Sequence, residues 1–168
     1  MPTAGEAVKR AAAVWLDSHE RGRAMASDHY NLSRFVAAQN PVFSAVCAEL
    51  AAGHKQSHWM WFIFPQLRGL GTSPMAQRYA IGSLAEARAY LAHPLLGARL
   101  RTCTQLVNRV EGRNVGAIFG YPDYLKFRSS MTLFARAAAG ANEPFDEALA
   151  KYFAGEADPL TRELLNHP

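Results

Sequence analysis

The sequence predicts an all-α fold, a single compact domain of about eight short helices, well above the helical share of an average globular chain. Three observations predict it. Apolar residues recur at spacings of three and four in one segment after another. Helix punctuation is dense: Asn40-Pro41, Ser73-Pro74, Ser83 with Glu86, and Asn114 read as starts, while Gly53, Gly112, Gly120 and Gly140 read as stops. The apolar run at 59–64 is short enough to be a strand, yet no second strand-like segment exists for it to pair with.

Residues 1–24 read as a mobile N-terminal extension, in which Val8, Ala12 and Trp15 stand at helical spacing and Met25 offers a second start; 25–168 form the domain. Leu32, Phe35 and Val36 mark a short first helix. Asn40-Pro41 then pairs an N-cap with proline at the first helical position, and Val42, Phe43, Val46 and Leu50 supply the stripe that follows. Next comes Ser57-His58-Trp59-Met60-Trp61-Phe62-Ile63-Phe64-Pro65-Gln66-Leu67, which holds two of the three tryptophans. Burial stabilises each such ring by roughly 1.5–3 kcal/mol, so the run belongs in the core, as a helix that Pro65 ends.

Ser73-Pro74 opens a helix from Met75 to Ile81, and Ser83 with Glu86 forms a capping box for a helix reaching His93-Pro94. Residues 95–110 form a long helical stretch, with Leu96, Leu100, Cys103, Leu106, Val107 and Val110 on one face. Asn114 caps a brief helix ended by Gly120. The next begins at Tyr121-Pro122-Asp123 and reaches Ala139; 142–153 and 158–166 finish the chain.

Composition excludes several function classes. With 168 residues, 49% hydrophobic and 19% charged, the chain builds a full core and is not disordered over most of its length. The net charge of +4 is spread over arginines from Arg34 to Arg128, without the dense basic cluster of a nucleic-acid groove, so nucleic acid is not an expected partner. No apolar run reaches the ~18 residues of a membrane span, and the start has no signal-peptide core. Cys47 and Cys103 show no CxxC spacing and read as buried free thiols, which suits a cytoplasmic location. His54 and His58 lack a third ligand, so no metal is expected; no cofactor fingerprint is present either. Nothing in the pattern specifies an oligomer.

The 57–67 block resembles the family catalogued as domain of unknown function 1810, some of whose members carry the label calpastatin. So do Gly69-Leu70-Gly71, Ser73-Pro74, Arg78-Tyr79-Ala80-Ile81, Glu86-Ala87, Tyr90-Leu91, His93-Pro94, Ile118-Phe119-Gly120, Asp123-Tyr124-Leu125-Lys126 and Ser129-Ser130-Met131-Thr132. The likeness runs from about residue 30 to 165 and implies a compact, mainly helical, bacterial protein without an assigned activity.

On a wheel of the 122–139 helix, Phe134, Phe127, Ala138, Met131 and Tyr124 fill an apolar arc, with Asp123, Lys126 and Ser130 at its margin. An acid, an amine and a hydroxyl there suit a small anionic ligand. His58 beside Trp59 and Trp61 suits a general acid or base, or part of a ring-stacking pocket. His58, Lys126 and Asp123 are therefore the candidate catalytic groups. Trp59, Trp61, Gln66 and Ser130 are candidate ligand contacts, joined by Arg78, Tyr79, Ser129 and Thr132 from the blocks that carry the resemblance. The aromatic helix, the Ser83-Leu84-Ala85-Glu86-Ala87 helix and the late lysine-bearing helix are also similar to N-glycosidases that process ADP-ribose. That similarity implies a nucleotide or ADP-ribose-like ligand and a hydrolytic step, although Ser57 precedes His58 where such chemistry would use an acid. The alternative is a non-enzymatic partner-binding or scaffold domain whose aromatic run is purely structural.

Overall fold

A computed structural model describes residues 28–140 and 142–167. The expected extension over 1–24 lies outside them. The chain divides into two units, Met1–Ser33 and Arg34–Pro168. The described end of the first is a 3₁₀ turn at Asp28–Tyr30, whose Asp28 carboxylate accepts from the Ser33 N–H at 3.1 Å and the Ser33 hydroxyl at 3.0 Å.

Ten α-helices are present among the described residues, where the apolar pattern predicts about eight. They are α1 (Ser33–Gln39), α2 (Phe43–Ala51), α3 (Met60–Ile63), α4 (Pro74–Arg78), α5 (Leu84–Ala92), α6 (Leu96–Asn108), α7 (Val115–Phe119), α8 (Asp123–Ala138), α9 (Pro144–Phe153) and α10 (Pro159–Asn166). No helix among the described residues is long and apolar enough to cross a membrane.

Three of the expected caps form. The Ser73 and Ser83 hydroxyls accept from the Ala76 and Glu86 N–H groups, each at 3.1 Å, and the Asn114 side-chain amide oxygen Oδ1 accepts from the Ala117 N–H at 2.8 Å. The Glu86 carboxylate accepts from the Gly82 N–H just outside the helix and takes the Arg34 guanidinium at 3.1 Å. Asn40 is not a cap: its own N–H bonds back to the Val36 carbonyl at 3.0 Å, so it closes α1, and α2 begins at Phe43.

The aromatic run is helical for one turn only. After Phe64 the chain straightens, because a residue before proline is pushed out of the helical region. There it meets the end of α4. The Ile81 N–H donates to the Gln66 carbonyl and the Arg68 N–H to the Ile81 carbonyl, both at 2.8 Å, in an isolated parallel bridge between Leu67 and Ile81. That pairing takes Ile81 out of α4, which stops at Arg78.

The longest helix is α8, at 16 residues against 13 for α6. It packs against α5, α7, α9 and α10 and is the central rod of the second unit. Phe127, Met131, Leu133 and Phe134 on it are fully buried. Phe127 lies 5.0 Å from Phe64, edge to face, and 4.7 Å from Phe119, stacked; Phe134 lies 5.3 Å from Tyr90. Cys47 is half-buried on α2 and Cys103 buried on α6. Burial is the largest influence on each thiol and raises its pKa.

Candidate functional site

The one-turn helix α3 sorts the aromatic run between two environments. Trp59, at its N-cap, is 1% exposed, and its indole N–H donates to Glu49 Oε2 at 3.1 Å. Glu49 Oε1 also accepts the N–H groups of Gln56 and of Ser57, the latter at 2.6 Å, and Oε2 accepts the Ser57 hydroxyl at 2.6 Å. Burial alone would raise the Glu49 pKa, but the bonds from Ser57, Gln56 and Trp59 outweigh it and hold the carboxyl below its ordinary value. Trp61, by contrast, is only half-buried and opens onto a cleft.

Against Trp61 stands the first part of α8, where Asp123, Lys126 and Ser129 follow at helical spacing. The Lys126 ammonium lies 3.2 Å from Asp123 Oδ1 and 5.3 Å from the centre of the Trp61 ring. The other Asp123 oxygen takes the Lys55 ammonium at 2.9 Å; Lys55 also donates to the Ser57 carbonyl at 2.6 Å and lies 5.1 Å from the Trp59 ring. Two ammoniums thus share one carboxylate, bracketed by two indoles.

Two hollows meet at Trp61, Gln66, Gly71, Thr72 and Ala76, which line both. The first, about 410 Å³, is completed by Arg68, Gln77 and Tyr79 among others. The second, about 460 Å³, adds Leu125, Lys126, Ser129, Asp158 and Leu160. They are lobes of one cleft, of the size that small-molecule sites have. Gly71 lets the loop press against α4, since a Cβ there would come within 2.5 Å of the Ala76 methyl.

The expected site residues therefore divide. Trp61, Gln66, Tyr79, Lys126 and Ser129 line the cleft, and Asp123 is held against Lys126. His58 is exposed and lines neither lobe. Trp59 belongs to the Glu49 cluster. Arg78 is exposed, with its guanidinium 5.5 Å from the Tyr79 ring, outside the residues that line either lobe. Ser130 is completely buried, not marginal. Thr132 is also buried: its hydroxyl donates to the Arg128 carbonyl at 2.9 Å and accepts the Asp158 N–H at 2.8 Å.

Sequence reasoning missed Lys55 and Asp158. Lys55 sits in a polar turn with no motif of its own. Asp158-Pro159 carries the same cap-plus-proline signal as Ser73-Pro74, which marks the helix start but not the cleft. Among the described residues, no group of three or more His, Cys, Asp or Glu is gathered as a metal would require.

The family described as "Protein of unknown function (DUF1810)" has a model that matches residues 29–165. The crystal structure of the conserved hypothetical protein Rv1873 from Mycobacterium tuberculosis is similar at 59% identity and a TM-score of 0.80, over 82% of this chain and 98% of that one. No curated protein matches the chain.

Proposed function

The chain belongs to the DUF1810 family of proteins of unknown function, and from that premise we propose that its two-lobed cleft binds a small anionic molecule of nucleotide or ADP-ribose-like size. The observation that carries this reading is the Lys55–Asp123–Lys126 cluster. Its two ammoniums against one carboxylate leave one positive charge in excess within the cluster, and Lys126 brings it to the second lobe. Lys55, with a side chain only 8% exposed, pairs with the Asp123 oxygen that Lys126 does not use, so Asp123 keeps a partner when Lys126 turns to a ligand. Partial burial weakens solvent screening of that charge. Trp61 at the junction of the lobes offers a face for a planar ring.

The test is calorimetric titration with ADP-ribose and with AMP. Lys126→Met keeps the stem and removes the charge, while Lys55 still pairs with Asp123, so the fold is retained. We expect at least a tenfold loss of affinity, since a hydrogen bond to a charged group contributes about 1.5–3 kcal/mol. Equal affinity in the variant, or no binding by the wild type, overturns the reading. A hydrolytic step would have Asp158 as the carboxylate that lines the second lobe, and product analysis of the same samples separates turnover from binding. The non-enzymatic, partner-binding alternative draws on the exposed side chains of Tyr121, Leu125, Leu160 and Leu164. It predicts silence in every titration.

A further inference from the structure

A carboxylate shares the second lobe with the lysine. Asp158 lines it together with Lys126 and Ser129, yet no ion pair joins Asp158 to Lys126 among the described residues. Its position is fixed from both sides. The backbone N–H is held by the Thr132 hydroxyl at 2.8 Å, and Oδ2 caps α10 by accepting from the Thr161 N–H at 2.9 Å and the Thr161 hydroxyl at 2.6 Å. Both capping bonds use Oδ2, which leaves Oδ1 to accept from a donor in the lobe.

A cap needs no negative charge, since serine or asparagine serves equally well. A fixed carboxylate beside an anion site is unfavourable for any ligand that is anionic throughout. It becomes favourable when the ligand turns a hydroxyl towards it, because a hydrogen bond to an ionised acceptor is about twice as strong as a neutral one. We infer that Asp158 is the specificity residue of this cleft, selecting anions that also carry hydroxyl donors, as a sugar phosphate does, over bare inorganic anions. The inference rests on the anion-binding reading of the same cleft and deepens it. Thr132 then acts as a positioning residue, holding Asp158 against α8 without touching the ligand.

The test compares ribose 5-phosphate with inorganic phosphate by calorimetry, on the wild type, Asp158→Asn and Asp158→Ser. Both substitutions keep a capping oxygen, and melting curves confirm the fold. The wild type should prefer ribose 5-phosphate, and both variants should shrink that preference by about tenfold. The loss should fall on ribose 5-phosphate, with inorganic phosphate unchanged or bound more tightly. A purely structural cap would move both ligands together or neither, and either result overturns the inference while the anion site stands. If the wild type binds neither probe, the anion-site reading fails and this inference falls with it.

Discussion

Ser130 is fully buried in the middle of α8, and its hydroxyl has no hydrogen-bond partner among the described residues. Its neighbours Ser129 and Thr132 each donate to the carbonyl one turn back, at 3.1 and 2.9 Å. An unpaired buried hydroxyl costs about 1–3 kcal/mol of desolvation, and alanine is the better helix former. Ser130→Ala should therefore raise stability by about 1 kcal/mol, read as a higher urea midpoint; a lower midpoint would show that the hydroxyl has a partner. The sequence places Ser130 at the margin of an apolar arc because a helical wheel assumes one side in water, and α8 has neighbours around its middle turns. His58 was misread for a related reason. It precedes the buried Trp59 by one residue, but the chain reaches α3 from a surface turn, so adjacency to the rings did not place it in the cleft.

Elements begin where capping chemistry is unambiguous, which is why the starts of α4, α5 and α7 were legible from Ser73, Ser83 and Asn114. Asn40 failed because the same residue type also closes helices. Where two elements approach closely, the sequence shows only a glycine. Gly97 lies in the first turn of α6, and a Cβ there would stand 2.1 Å from the Leu91 carbonyl oxygen of α5. That oxygen belongs to a helix backbone and cannot swing aside. Gly97→Ala should force α5 and α6 apart and cost about 3 kcal/mol, at the upper end of overpacking penalties; a denaturation midpoint within error of wild type would refute the close approach. The α3 turn was half legible: Pro65 and the burial of Trp59, Phe62 and Phe64 were read correctly, but Trp61 is only half-buried, and the bridge between Leu67 and Ile81 joins residues that no local pattern connects.

For the molecule as a whole, acid sensitivity should be traceable to Glu49, which ties α2 to the chain entering the aromatic run. Its folded pKa lies below its unfolded value, so its contribution is complete above the ordinary glutamate pKa, about 4.3, and is lost as pH falls through the depressed folded value. Glu49→Gln should be less stable than wild type at pH 7, and the difference should close as pH falls below about 4. Parallel stability curves down to pH 3 would exclude this role. The helical class was legible because periodicity and caps agreed along the chain. Half of the cleft was legible too, since Trp61 and Gln66 lie within one block, Tyr79 in the Arg78–Ile81 block, and Lys126 and Ser129 on one helix. Lys55 and Asp158 were not, because they reach it from segments that carry no chemical motif. The Leu67–Ile81 bridge has a further consequence. It clasps the ends of the segment 68–80, which supplies much of the cleft wall, with two backbone bonds that depend on no side chain. Changes at the exposed positions Thr72, Ser73 and Gln77 leave that clasp intact, whereas Tyr79, its ring 5.8 Å from Phe35 and 5.4 Å from Phe62, rivets the far end of the segment to the interior.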